Sequence, residues 1–250
     1  MTTPPSKAGT KGVPRAERER QVLAAATEEF GRNGYEATTV AAVAARVGVT
    51  KPLLHQYFGG KQDLYLACLN PVGERLLGAV RTAMAEPSAA ARPTPLRVLD
   101  ALFHALDGQR EAWFVLYDPT LPPDSDAARR AAHYRGAIDD LAATGTADLL
   151  RTAGSGDPLD ADALKYAWRG LCTSLVRWWI GRPEQSPDAM TRRCARILAA
   201  ARALGDAAAL DGEEARRPAR AARAPAGSGG DAAAPAPPTA GQPGAVRAII

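Results

Sequence analysis

The 250-residue chain predicts an all-α fold, and three observations carry that reading. Hydrophobic residues make up 46% of the sequence but aromatic ones only 6%; much of the difference is alanine, the best helix former, whereas sheets favour branched and aromatic side chains. Apolar residues recur at helical spacing along much of the chain. Glycines, prolines and Ser/Thr caps break these periodic stretches at helix-sized intervals.

Residues 1–14, rich in Pro, Thr, Gly and Lys without apolar periodicity, read as a disordered basic arm. Order begins near Arg15, where Val22, Leu23, Ala26 and Phe30 mark one face of a first helix that Asn33-Gly34 should stop. Thr38-Thr39 caps a second helix with Val40, Val43 and Val47 on one side, ended by Gly48. Thr50 caps a third, with Pro52 near its start, where a missing N–H costs nothing. Small Ala44 lets the two helices approach, Gly48 supplies a positive φ, and Val43, Val47, Val49 and Leu54 form the seam of a helix-turn-helix. Tyr57 and Phe58 are expected to close a small core with Phe30 and Tyr35. A fourth helix runs from about Lys61 through Leu64, Leu66 and Leu69.

We therefore divide the chain into residues 15–69, the helix-turn-helix domain, and 70–205, a second helical domain. In the latter, helices are predicted to about Met84, over LRVLDALFHAL, over EAWFVLYD ending near Tyr117, and over AARRAAHYRGAIDDLAATG, with a loop between Glu86 and Pro95. The next helix carries Leu164, Trp168, Leu171, Leu175 and Trp179 as an apolar stripe. After Ser186-Pro187, a last helix directs Met190, Cys194, Ile197, Leu198, Ala201 and Leu204 to one side. Residues 206–250 turn to Ala, Pro, Gly and Arg, too little apolar surface to offset their ordering entropy, and read as a disordered tail.

Net charge is +4, but the first 66 residues hold nine basic residues against six acidic ones, an asymmetry that suits a polyanionic partner. Cys68, Cys172 and Cys194 are widely spaced and lack the C-x-x-C pattern, so neither a disulfide framework nor a zinc site is indicated, and a reducing cytoplasm fits best. No run of about 18 apolar residues and no signal-peptide core appears, which points away from a membrane span or secretion. The three histidines show no H-E-x-x-H spacing, and neither G-x-S-x-G nor a Walker loop occurs, so no enzyme, cofactor or metal is expected.

Packing accounts for Ala44, Gly48, Val49 and Leu54, but not for Thr39, Thr50, Lys51, Gln56 and Lys61, which the helical register gathers on the opposite side. The pattern F-x-x-x-G-Y-x-x-T-T-V-x-x-V-A-x-x-V-G-V-T-K-x-x-L-x-x-Y-F-x-x-K, from Phe30 to Lys61, resembles the DNA-binding domain of the TetR family of bacterial transcriptional regulators. The resemblance implies that Thr39 and Lys61, each at a helix N-terminus, grip DNA phosphates, where free N–H groups favour an anion. It places Thr50, Lys51, Pro52, Leu53, His55, Gln56 and Tyr57 on the recognition helix. Gln56 can pair bidentately with adenine, and Lys51 can serve guanine or a phosphate. Leu53 and His55 depart from the family's usual residues: an exposed leucine can meet a thymine methyl, and the histidine is either a DNA contact or a neutral surface group.

For residues 70–205 the resemblance implies a domain that binds a small-molecule effector and joins two subunits through its last two helices. The protein is then expected to be a cytoplasmic homodimer on a palindromic double-stranded operator, most simply a repressor released by its effector. Trp113, Phe114, Tyr117, Tyr134, Trp168 and Cys172 are candidate liners of the effector pocket or else core and interface residues, and Arg169 and Arg177 either meet an anionic ligand or are solvated. The competing reading keeps the fold as a dimeric ligand- or protein-binding module that has lost operator recognition through Leu53 and His55.

Overall fold

The computed structural model describes residues 14–85 and 92–203, and the contacts below lie within the compact unit ending at Ala200. The predicted basic arm, most of the 86–95 loop, Leu204 and the predicted tail lie outside the described residues. Eight helices are α1 (Arg15–Ala37), α2 (Val40–Arg46), α3 (Lys51–Phe58), α4 (Lys61–Ala85), α5 (Thr94–Ala105), α6 (Ala112–Leu116), α7 (Asp126–Thr152) and α8 (Pro158–Ile180). A further helix, α9, covers 187–203. Among the described residues the architecture is all-α.

Helix α4 is the central strut, packing against α1, α5, α6 and α7, while α7 also packs on α8. It crosses the expected division at residue 69 as one continuous helix. The core runs the same way, from Val22, Phe30, Leu54 and Leu64 through Leu69 and Leu76 to Leu99, Trp113 and Trp179, all buried.

Several local expectations change. Gly34 does take the left-handed conformation (φ 76°), yet helical turns resume past it to Ala37, so the stop is a kink. Helix α7 runs through Gly145 to Thr152; Gly145 faces Met84 at a distance a Cβ would shorten to 3.2 Å. The small core around Phe30 and Tyr35 is completed by Tyr65, whose ring meets Phe30 edge-on at 4.9 Å and Tyr35 at 5.2 Å. Tyr57 instead pairs with Phe58, 6.3 Å away.

On α8 the innermost side chains are Cys172, Val176 and Trp179, whereas Trp168, Leu171 and Leu175 remain half-buried. The helix is thus rotated from the predicted stripe, with Trp179 the shared residue. On α9, Met190, Thr191 and Cys194 are buried, but Ile197 keeps 47% of its surface exposed.

Candidate nucleic-acid interface

Helix α3 is anchored by one fully buried side chain, Leu54. Lys51, Pro52, His55 and Gln56 are exposed, and Leu53 and Tyr57 are half-buried. Gly48 makes the preceding turn at φ 69°, with nothing within 4 Å of where a Cβ would stand, so glycine is required there by backbone conformation and not by space. Thr50 then enters α3 in an extended conformation, but its hydroxyl makes no cap bond.

Thr39 caps α2: its Oγ1 accepts from the Ala42 N–H at 3.1 Å, and its own O–H remains a donor. The Lys61 ammonium donates to the Glu36 carbonyl at 3.1 Å and lies 4.5 Å from the Tyr35 ring centre. It braces the start of α4 against the end of α1 while retaining two further donors. His55 Nδ1 sits 2.6 Å from the Gly59 carbonyl. A carbonyl only accepts, so Nδ1 carries a proton, and in that neutral tautomer Nε2 is the acceptor. Arg15, in the first turn of α1, places its guanidinium 5.0 Å from the Tyr57 ring centre. Arg46 is ion-paired with Glu28 at 2.5 Å and Glu29 at 3.2 Å, which matches its charge locally.

The three-helix unit is joined to α6 and the turn after it by a polar clasp. Asp118, buried, accepts from the Tyr35 backbone N–H at 2.6 Å and from the Thr120 N–H and hydroxyl at 2.8 and 2.7 Å. The Tyr65 hydroxyl donates to the Val115 carbonyl at 2.6 Å; burial first, and then Asp118, push its pKa well up. At the other end of α6, Arg32 pairs with Glu111 at 3.0 Å. Between them Gly31 lies so close to Glu111 that a Cβ would stand 2.2 Å from its carbonyl oxygen. Sequence reading missed this joint. Its one visible sign is the glycine within an otherwise helical stretch, whereas Asp118 sits in a D-P-T run that reads as an ordinary turn.

Three of the expected effector residues converge where α6, α7 and α8 meet. Trp113 stacks on Tyr117 at 4.5 Å between ring centres and donates its indole N–H to the Thr173 hydroxyl at 3.2 Å. Tyr117 lies beside Cys172 and the Asp139–Arg169 ion pair (2.5 Å); burial and then Asp139 raise its pKa. Tyr134 is elsewhere, packed on Gly73 of α4 with its hydroxyl on Glu74 at 2.9 Å. Phe114 lies under the Arg177 guanidinium, and Trp168 is half-buried on α8. A separate cleft of about 390 Å³ opens between the end of α7 and the start of α8, lined in part by Ala147, Leu150, Arg151, Asp157 and Lys165; none of the six expected liners borders it.

A family model described as bacterial regulatory proteins, tetR family, matches residues 22–68. The HTH-type transcriptional activator FasR of Mycolicibacterium smegmatis is 44% identical over 72 residues, which is 29% of this chain and 33% of that protein. The HTH-type transcriptional dual regulator CecR of Shigella flexneri is 47% identical over 49 residues, 20% of this chain and 22% of that one. The matched stretch thus spans a third or less of these relatives. A TetR-like transcriptional regulator from a Rhodococcus species aligns over 75% of this chain and 98% of its own, with TM-score 0.51 and 26% identity. PfmR, a TetR family regulator from Thermus thermophilus, aligns over 72% and 94% with TM-score 0.54 and 19% identity, a likeness of fold. Residues 22–68 thus match the model of the tetR family of bacterial regulatory proteins, and the helices that carry them share the fold of these solved structures.

Proposed function

We propose that the protein is a cytoplasmic, ligand-responsive transcriptional regulator that binds a palindromic operator as a homodimer and is released by a small molecule. The observation that carries this reading is α3, a short helix with Leu54 as its one fully buried side chain, offering Lys51, His55 and Gln56 to solvent. Gln56 reads adenine, Lys51 guanine or a phosphate, and Leu53 a thymine methyl. His55, outwardly an acceptor when neutral, suits a base amino group better than a phosphate. Thr39, Thr50 and Lys61 position the unit on the backbone, and Pro52 and Tyr57 complete the recognition helix. Repression is the simpler sign, because an occupied operator excludes polymerase without a further contact surface.

Tyr166, Trp178 and Ile197, exposed on α8 and α9, and the half-buried Trp168, Leu171 and Leu175 supply the apolar face for a second subunit. The effector is read by the groups around Tyr117, with Trp113 and Cys172 as apolar wall and Arg169 with Asp139 as the polar anchor. Its binding displaces α6, and the Asp118 clasp passes that shift to α1. A ligand acts only through its different affinity for the two arrangements.

The test is titration of the purified protein on its own upstream intergenic DNA against salt and random competitor. Tight, steeply salt-dependent binding to a palindrome is expected. Equal affinity for random DNA there and in genome-wide site selection favours the dimeric binding module instead.

A further inference from the structure

Apart from the DNA-facing surface and the α6–α8 interior, one group of metal-ligating side chains stands out. Asp100 and His104 are one helical turn apart on α5, and Asp188 meets them from the first turn of α9. One ligand atom from each lies within 4.8 Å of the others.

We propose that Asp100, His104 and Asp188 form a site for a divalent transition-metal ion of the zinc class, which fastens α5 to α9. The imidazole is set up for this. Its Nδ1 lies 2.9 Å from the Asp100 carbonyl, which can only accept. Nδ1 therefore holds the proton and the Nε2 lone pair faces Asp188, whose Oδ1 is 3.7 Å away. A histidine whose second nitrogen donates to a backbone carbonyl is the usual arrangement behind a metal bond, because it fixes both tautomer and ring orientation. The Asp100 carboxylate is oriented as well, with Oδ1 accepting from the Thr191 hydroxyl at 2.7 Å. Oδ1 keeps a second lone pair, while Arg92 approaches the other oxygen at 3.4 Å.

One imidazole with two carboxylates suits zinc better than magnesium or calcium, which prefer all-oxygen shells. Ligands on a tetrahedral zinc ion stand roughly 3.4 Å apart, given bonds of about 2.1 Å. The group must therefore contract by up to about 1.4 Å, which rotation of the exposed Asp188 and His104 side chains allows. The remaining positions fall to water, so three protein ligands leave an open coordination shell.

The experiment uses the full-length, tag-free, chelator-stripped protein with zinc chloride alone, followed by calorimetric titration and thermal melts. One ion per chain and a Tm rise of roughly 5–10 °C at a hundredfold excess over Kd are expected. His104→Ala and Asp188→Ala, both exposed and harmless to the fold, should each lose the shift, whereas His133→Ala should keep it. Magnesium should give none. A shift that survives His104→Ala places the ion elsewhere and overturns the proposal. So does the absence of saturable binding up to millimolar zinc.

Discussion

The backbone N–H of Tyr35 donates to the carboxylate of Asp118 at 2.6 Å, across 83 residues of sequence. Tyr35 belongs to the last turns of α1, beyond the Gly34 kink, and Asp118 follows α6. The same carboxylate also accepts both donors of Thr120. Thr120 lies against Gly34 so closely that a Cβ there would stand 2.9 Å from its Oγ1. One buried side chain therefore ties the end of α1 to the turn that follows α6.

Asp118→Ala removes the acceptor of three part-buried donors, the Tyr35 N–H and the Thr120 N–H and hydroxyl. Orphaned buried donors cost about 1–3 kcal/mol each, and they act together here, so we expect a loss of about 3 kcal/mol. Urea unfolding measures it. Asp118→Asn, of nearly equal size, should also destabilise, because its amide turns a donor toward donors. A loss below about 0.5 kcal/mol in both variants would show that the clasp does not hold the joint.

Two glycines on helices give opposite expectations from the same substitution. In Gly31→Ala the new methyl would stand 2.2 Å from the Glu111 carbonyl oxygen, backbone at the start of α6, so something must shift. Overpacking of this kind costs about 1–3 kcal/mol and outweighs the gain of about 1 kcal/mol in helix propensity. Gly78→Ala meets nothing within 4 Å and should stabilise by up to about 1 kcal/mol. Denaturation midpoints of the two variants on either side of the parent protein check the close approach of α1 and α6.

These two sites also show what sequence reading can reach. Helices α2 and α3 and the turn between them were legible because the signals are local: Thr39 caps, Gly48 turns, and Val43 and Leu54 mark the buried face. Contacts between distant segments leave no such periodic trace. Tyr65 was hidden within an apolar helix, and Asp118 within a turn. Helix α8 lies where its periodicity predicts, but it buries Cys172, Val176 and Trp179, a fraction of a turn from the expected stripe, because apolar residues on more than one row of the helix define no single stripe. The proposed DNA contacts rest on exposed or half-buried residues of α2–α4 that packing leaves unexplained. The effector candidates are aromatic residues in a helix-rich region, where core and pocket have the same composition, so sequence alone does not separate Trp113 and Tyr117, which stack together, from Tyr134, which packs on α4.

On the operator, Gln56→Ala and Lys51→Ala should separate by salt dependence. Loss of a bidentate base contact weakens specific binding by about 1–3 kcal/mol at one base position and leaves the salt slope unchanged. If Lys51 meets a phosphate, its loss weakens all sequences alike and lowers the slope by about one. Fluorescence anisotropy over a range of salt, on operator and scrambled DNA, distinguishes them. Unchanged operator affinity in Gln56→Ala removes that residue from base readout.

The three thiols should be silent at neutral pH. Burial pushes Cys68 and Cys172 up to about 12 and Cys194 up to about 11. The unfolded chain ionises these groups near pH 8.5, so above that pH it binds fewer protons than the folded state and stability falls. The contribution is complete below about pH 8 and is lost as pH rises toward 11–12. Urea midpoints should therefore decline between pH 8.5 and 10, and more gently in Cys172→Ser once corrected for its own cavity. At pH 8 a disulfide reagent should label none of the three without denaturant; fast labelling of Cys172 in the folded protein would contradict its burial.

Ile197 tests the second subunit. It lies on the same helix as buried Cys194 but keeps about half its surface exposed, and Trp178, stacked 3.9 Å from the Arg182 guanidinium, is exposed on the neighbouring helix. A charge at position 197 costs little in an isolated chain, because surface substitutions usually stay within about 0.5 kcal/mol. Buried between two subunits it is unpaired, and a loss of several kcal/mol in association follows. Ile197→Glu should thus be folded, with the parent's helical content, but elute with the mass of one chain in light scattering. It should then bind a single half-site weakly and the full palindrome no better. A variant that stays dimeric places the contact between subunits on another face.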